Sequence, residues 1–242
     1  NMFISNDYDV CVDFMSYTTD EFRQRVELLL SSVGQYVYLS SSRVYSNVDE
    51  IITERTPRLL DVSNDKDFLS TDEYSLTKAR QEDLLINSKY SNWTIVRPYI
   101  TYSEDRFQLG VMEKEQWLYR AVKGRTIVFS DDITKHYTTM TYGKDVANAI
   151  ASICGKKNTM GEIFNITSQE TIKWEDILNI YTETLSNYYK ITIPVRLCPF
   201  SMYLQYPSIQ YQVKYDRYFD RKFDNSKINQ YIDTSRFVLV KN

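Results

Sequence analysis

Hydrophobic residues along this chain fall into two kinds of segment that alternate. Short runs rich in Val, Ile and Tyr are typical of buried strands. Between them lie longer segments whose apolar residues recur every three or four positions, as in helices that bury one side. This alternation predicts an α/β fold with a parallel sheet. The predicted strands are Tyr8–Ser16, which runs into a loop, Tyr36–Leu39 and Trp93–Tyr99, and the predicted helices are about Thr19–Ser31, Ser75–Ser88 and Phe107–Val128.

The composition narrows the possible function classes. A length of 242 residues suits one large domain or a domain with an added lobe. A net charge of -3 and a pI near 5.4 argue against a broad nucleic-acid-binding surface. Cys11, Cys154 and Cys198 are scattered without metal-binding or disulfide spacing, so we expect no metal site and a reducing, cytoplasmic location. No apolar run approaches the length of a membrane span, about 18 residues.

Tyr74 and Lys78 are the first candidates for chemistry. They lie four residues apart near the start of a predicted helix, so one helical turn brings the phenol and the ammonium to the same face. A cation beside a phenol favours the phenolate, which can exchange a proton with a hydroxyl or carbonyl group near neutral pH. With 21 tyrosines in the chain, the spacing also fits an ordinary exposed helix face.

A second candidate is the serine run Ser40-Ser41-Ser42, which ends the strand Tyr36–Leu39 and precedes Val44-Tyr45. In open α/β sheets ligands bind at the carboxyl ends of strands, so a serine there can meet a tyrosine on the next helix. Together the two stretches resemble the extended short-chain dehydrogenase/reductases of the NAD-dependent epimerase/dehydratase family. The resemblance implies catalytic roles for Ser41, Tyr74 and Lys78, and a partial Rossmann-type doubly wound parallel sheet with a smaller substrate-binding lobe.

The resemblance also implies a cofactor, NAD or NADP. It assigns cofactor contacts to Ser40, Tyr74 and Lys78 and to the turn Pro98-Tyr99-Ile100, which is similar to the family's R-P-x-N-V-Y-G turn except that Ile100 stands where Asn is usual. The family's Gly-rich turn, which holds the cofactor pyrophosphate, has no counterpart among the six dispersed glycines. The chain is therefore expected to be an amino-terminally truncated member that binds NAD(P) weakly or not at all.

Domain boundaries follow from further similarities to the family. Residues 1–104 are expected to form the partial Rossmann domain, 105–135 to begin the substrate lobe, 136–170 to return to the Rossmann domain, and 171–242 to complete the lobe. In the returning segment, Asp145 is expected to cap a helix.

Two functions remain open at this stage. The first is an NAD(P)-dependent epimerase or reductase acting on a nucleotide sugar, since Ser42-Arg43 occupies the place where dehydratases of the family carry Asp-Glu. The alternative is a catalytically silent nucleotide- or RNA-binding module, because Asn92–Pro98, Glu115–Trp117 and Gly143–Ala147 resemble a branch that includes chloroplast stem-loop RNA-binding proteins. The acidic composition makes RNA the less expected ligand.

The family also implies a homodimer formed through the helices near Thr19–Leu30 and Ser75–Ser88.

Overall fold

A computed structural model describes residues 8–205 and 207–241. The strands are β1 Tyr8–Asp13, β2 Val33–Leu39, β3 Trp93–Pro98, β4 Thr101–Tyr102, β5 Ile127–Ser130, β6 Tyr137–Thr138, β7 Thr141–Tyr142, β8 Glu162–Ile166, β9 Ile172–Lys173 and β10 Val195–Cys198. The α-helices are α1 Thr19–Ser31, α2 Leu59–Val62, α3 Lys66–Leu69, α4 Tyr74–Ile86, α5 Lys114–Val122, α6 Gly143–Ile153, α7 Trp174–Tyr189, α8 Phe200–Tyr203 and α9 Gln210–Gln212.

The central sheet is parallel, in the order β1-β2-β3-β8. Alternate residues of β2 face opposite sides. Tyr36 and Tyr38 pack with α1 and α4, whereas Val37 packs with α6. Helices thus cover both sides of the sheet, which confirms the predicted doubly wound arrangement.

Helix α1 begins where the sequence predicts. Thr18 and Glu21 form a capping box, in which each side chain accepts a hydrogen bond from the other residue's backbone N–H. Its buried face, which includes Phe22 and Val26, packs in the same cluster as Leu85 of α4. The two helices lie side by side, as predicted, and the homodimer expected from them stays a prediction.

A second core forms beside the sheet. Trp117 of α5, Phe129 of β5 and Trp174 of α7 are buried in it, and Tyr99 joins it from the end of β3. This cluster is the smaller lobe that the sequence predicts. The residue boundaries given above stay predictions, and within the last of those ranges Ile228 and Phe237 pack on the sheet face that carries α6.

The predicted helix from Phe107 to Val128 is wrong at both ends, and its last two residues belong to β5. The helix begins only at Lys114, after a capping box between Glu113 and Gln116, and ends at Val122. Gly110 before it has φ of +60°, a conformation that interrupts a helix and that glycine adopts without strain. Leu109 and Val111 are buried in the lobe core on either side of this glycine.

The described ranges show no cation-binding cluster and no bilayer-crossing segment. No group of three His, Cys, Asp or Glu side chains in residues 8–205 and 207–241 could hold a metal ion. Within the same residues, no helix combines the length and apolar character needed to cross a membrane.

Candidate active site

The three serines after β2 have three different environments. Ser40 Oγ donates a hydrogen bond to Glu82 Oε1 at 2.5 Å, and Ser42 Oγ donates to the Arg97 carbonyl oxygen at 2.8 Å. Ser41 Oγ accepts from the Arg43 backbone N–H at 3.2 Å, and the structure gives its hydroxyl proton no acceptor among the described residues. Ser41 also lines a cleft. It is therefore the serine whose hydroxyl can bind a ligand.

Tyr74 and Lys78 occupy the first turns of α4, facing the end of β2. The Lys78 ammonium donates a hydrogen bond to the Leu39 carbonyl oxygen at 2.8 Å and lies 5.9 Å from the centre of the Tyr74 ring. Tyr74 lines the same cleft as Ser41 and is 45% exposed, whereas Lys78 is buried. The structure thus brings together the three residues expected to act in catalysis.

Burial makes the charge of Lys78 sensitive to pH. Desolvation lowers the pKa of Lys78 from its ordinary value of 10.5 to about 8, although the nearby Asp13 and Glu82 carboxylates oppose the shift. Between these two pH values the unfolded chain binds more protons than the folded one. The cost of burying a charged Lys78 is therefore full below pH 8 and disappears as the pH rises to 10.5.

Replacing Lys78 by methionine should remove this pH dependence. The free energy of unfolding of the wild type, minus that of Lys78→Met, should rise by about 3 kcal/mol between pH 7 and pH 10.5. Urea denaturation at a series of pH values measures the difference. Lys157→Met is the matched control, because Lys157 is exposed and forms no ion pair with the described residues, so its difference should stay flat. If the difference in the free energy of unfolding between wild type and Lys78→Met does not change with pH, Lys78 is not a buried ammonium that titrates in this range.

The buried ion pair of Glu82 and Arg97 holds the serine run in place through a hydrogen bond to Ser40. Glu82, four residues after Lys78 on α4, accepts from Arg97 Nε at 2.8 Å and from Arg97 Nη2 at 2.6 Å. Arg58 Nη1 donates to the same carboxylate at 3.3 Å. Because Glu82 also binds Ser40, this carboxylate joins β2, β3 and α4. The sequence carries no local signal for this ion pair, because Arg97 and Arg58 lie far from Glu82 along the chain.

The predicted cofactor turn Pro98-Tyr99-Ile100 is divided between two environments. Pro98 and Ile100 line the cleft. The Tyr99 side chain instead lies in the lobe core, where its hydroxyl donates to Asp216 Oδ1 at 3.1 Å and accepts from Arg217 Nη1 at 3.2 Å. Ile100 has φ of +22°, which is unusual for a β-branched residue and costs about 1–3 kcal/mol. The cofactor role assigned to these residues stays a prediction.

The cleft lies between the carboxyl ends of the strands and the lobe, and its volume is about 660 Å³. Its apolar lining includes Phe14 after β1 and Val146 and Ile150 of α6. Its polar lining includes Arg43 and Gln116, and it includes residues that the sequence did not single out, namely Arg106, Gln108, Glu113, Gln212 and Arg217. A mixed cleft of this size suits a small polar ligand.

Arg217 is the most deeply buried of these side chains. It donates from Nε to the Gly110 carbonyl oxygen at 2.8 Å and from Nη2 to Gln108 Oε1 at 3.2 Å, and it forms an ion pair with Asp216. Burial lowers the pKa of Arg217 to about 10, so it is still a cation at neutral pH.

The model of one protein family matches residues 23–167 of the chain, which include Ser41, Tyr74 and Lys78. Its description is NAD dependent epimerase/dehydratase family. The chain belongs to this family. A comparison with curated proteins gives no match. The family assignment confirms the resemblance seen in the sequence, and the match ends at Thr167, at the carboxyl end of β8.

Solved structures of similar fold include proteins described as a nucleotide-sugar epimerase and a nucleotide-sugar dehydratase. MoeE5 in complex with UDP-glucose and NAD aligns at a TM-score of 0.57 and 15% identity, over 86% of this chain and 62% of that one. UDP-glucuronic acid 4-epimerase from Bacillus cereus in complex with NAD gives 0.61 and 17%, over 94% and 71%. dTDP-glucose 4,6-dehydratase from Bacillus anthracis gives 0.65 and 16%, over 92% and 66%. The chain thus spans about two thirds of the length of these neighbours.

Proposed function

We propose that this member of the epimerase/dehydratase family is an NAD(P)-dependent epimerase, or a reductase, that acts on a nucleotide sugar. The observation that carries the proposal is that Ser41 and Tyr74 line one cleft with Lys78 buried behind the tyrosine ring. The three neighbours support the substrate class, because each is named for, or holds, a UDP- or dTDP-linked sugar.

Each of the three residues has a role that its environment supports. Tyr74 exchanges the proton of a sugar hydroxyl, which its exposure to the cleft permits. The Lys78 ammonium places a positive charge 5.9 Å from the centre of the Tyr74 ring. Ser41 donates its free hydroxyl proton to the reacting sugar oxygen and so orients it.

The residues beside Tyr74 fit the nicotinamide half of a cofactor. Lys78 Nζ is buried and carries three donors, of which one is used by Leu39 among the described residues. Two donors remain for the hydroxyls of a ribose, although Nζ also faces the Tyr38 ring at 4.8 Å, and Pro98 and Ile100 line the cleft. Ser40 is less available for a cofactor contact than the sequence predicts. Its hydroxyl donates to Glu82, and its backbone N–H donates to the Val96 carbonyl oxygen. When bound, the nicotinamide supplies reversible hydride transfer.

Epimerase or reductase chemistry fits better than dehydration. Loss of water from a sugar needs a second acid and base beside the tyrosine. Ser42 and Arg43 stand where dehydratases of the family carry carboxylates, and Ser42 is buried with its hydroxyl bound to Arg97. Among the described residues that line the cleft, Glu113 is the one with a carboxylate, and it is paired with Arg106 on the lobe side.

The chain of 242 residues should bind NAD and NADP weakly, with dissociation constants of about 1 mM or more. Lys78 and its neighbours address only the nicotinamide half, and no Gly-rich turn occurs in the sequence to hold the pyrophosphate. Isothermal titration calorimetry measures both constants. Micromolar affinity for either cofactor would contradict the expectation, and a UDP-sugar titrated into the same sample shows whether the cleft is intact.

The test of function uses the protein at its natural length. The protein is incubated with NAD or NADPH and with UDP- or dTDP-linked sugars, and the anomeric proton signals of the sugars are followed by NMR. A new epimer supports the epimerase, and a reduced sugar formed with consumption of NADPH supports the reductase. Unchanged sugars, although cofactor and sugar are both bound, would contradict the proposal.

A further inference from the structure

Arg43 is a charged cleft residue, next to Ser41 and Tyr74, for which the proposed chemistry gives no role. It follows Ser41 by two positions, and the carbon of its guanidinium group lies 5.1 Å from the centre of the Tyr74 ring. Its side chain is 15% exposed and lines the cleft. A fixed positive charge is therefore held next to the two residues proposed to act on the sugar.

The hydrogen bonds of Arg43 leave one end of the guanidinium available. Nη2 donates to Glu73 Oε1, and Nε is buried and lies 3.9 Å from Asp216 Oδ2. Within residues 8–205 and 207–241 the structure gives Nη1 no hydrogen-bond partner, and Nη1 is not among the buried polar atoms that lack one. Nη1 is thus the solvent-accessible donor of this side chain.

The charges around Arg43 do not balance. Arg43, Arg217 and Arg221 surround Asp216, and Glu73 is the second carboxylate of the cluster. Three guanidinium groups against two carboxylates leave one positive charge in a largely buried environment. Arg43 shares this net charge of the cluster although it is itself paired with Glu73, whereas the Arg106–Glu113 pair at 3.0 Å lies outside the cluster. An uncompensated buried cation favours binding of an anion.

The position of this charge limits which anion it can bind. Because the Arg43 guanidinium carbon lies 5.1 Å from the centre of the Tyr74 ring, a sugar whose C4 hydroxyl contacts Tyr74 brings the substituent of the neighbouring C5 towards Nη1. In a hexuronate the carboxylate is attached to C5, beside the C4 hydroxyl, whereas a neutral hexose carries a hydroxymethyl group there. A carboxylate accepts a charge-assisted hydrogen bond from a guanidinium, which is stronger than a bond between neutral groups.

We propose that Arg43 determines specificity by binding a carboxylate on the sugar, so that the substrates are nucleotide-linked hexuronates. The proposal rests on the nucleotide-sugar function given above and narrows its substrate class. UDP alone carries no sugar carboxylate, so on this proposal its affinity should not depend on Arg43.

The test compares four ligands by isothermal titration calorimetry, namely UDP, UDP-glucose, UDP-glucuronate and UDP-galacturonate, with the 242-residue chain. The wild type should bind the two hexuronates about 10- to 100-fold more tightly than UDP-glucose. Arg43→Gln should reduce the affinity for the hexuronates to that for UDP-glucose and leave UDP-glucose unchanged. Arg43→Lys should retain part of the preference, because it keeps the charge.

Two further variants separate recognition from structure. Arg23→Gln removes a positive charge from an exposed position of α1 and should change none of the four affinities. Glu73→Gln breaks the ion pair of Arg43 but keeps the guanidinium, so it should preserve the preference for hexuronates. If Arg43→Gln weakens UDP-glucose and the hexuronates equally, Arg43 only supports the site and the proposal is overturned.

The remaining outcomes distinguish the two proposals. Equal affinity of the wild type for UDP-glucose and both hexuronates overturns the role of Arg43 and leaves the nucleotide-sugar function standing. Failure of all four ligands to bind overturns both.

Discussion

Tyr74→Phe should lower turnover of a nucleotide sugar by about 10²- to 10⁴-fold while sugar affinity stays nearly unchanged. The substitution keeps the ring that Arg43 and Lys78 face and removes only the hydroxyl that exchanges the proton. The turnover number is measured at saturating cofactor and sugar in the form of the protein that shows activity, and the dissociation constant of the sugar by calorimetry.

Tyr188→Phe is the matched control, because Tyr188 lies on α7 and is 77% exposed. It should leave both quantities unchanged. Retention of full turnover by Tyr74→Phe would remove Tyr74 from the mechanism, and a parallel loss of sugar affinity would show that the hydroxyl serves binding instead.

Glu82→Gln should lower the free energy of unfolding by about 3 to 5 kcal/mol. The variant leaves the buried Arg97 guanidinium without its counter-charge and weakens the hydrogen bonds of Ser40 and Arg58. Since Ser40 precedes the candidate catalytic serine, any activity should fall as well. Urea denaturation monitored by circular dichroism measures the loss of stability.

The neighbouring residue provides the control for this variant. Asp83 pairs with Arg58 at 2.7 Å, but its side chain is 40% exposed. Asp83→Asn should therefore cost less than about 1 kcal/mol, as exposed ion pairs usually contribute. Equal losses for the two variants would mean that the Glu82 carboxylate is not buried as the structure has it.

Local signals in the sequence predicted the elements that carry the site. The β-rich run that ends at Leu39 and the helix of Tyr74 and Lys78 both have patterns that depend only on neighbouring residues. The same is true of the capping box of Thr18 and Glu21. Such elements were predicted to within a few residues of their ends.

Two local predictions failed because tertiary contacts decided the outcome. Residues 107–112 have the apolar content of a helix, yet burial of Leu109 and Val111 in the lobe core and the positive φ of Gly110 prevent one. Asp145 was expected to cap α6, but the N-cap position is Tyr142. The Asp145 carboxylate accepts the Val238 backbone N–H at 2.7 Å, a contact across the chain that spacing does not reveal.

The polar wall of the cleft could not be predicted from the sequence. Arg43 meets Asp216, and Tyr99 meets Arg217, over long separations in the chain. Nothing in the residues around Arg217 distinguishes it from an ordinary surface arginine. Only the packing of the lobe against the strand ends shows that these side chains share one site.

The proposed function requires the cleft to bind a nucleotide sugar with its sugar ring at Ser41 and Tyr74. A crystal structure of the chain with a bound UDP-sugar tests it most directly. We expect one sugar hydroxyl within hydrogen-bonding distance, about 3 Å, of both Ser41 Oγ and Tyr74 Oη. A UDP-sugar bound elsewhere, or bound in the cleft with its sugar away from both residues, would contradict the account.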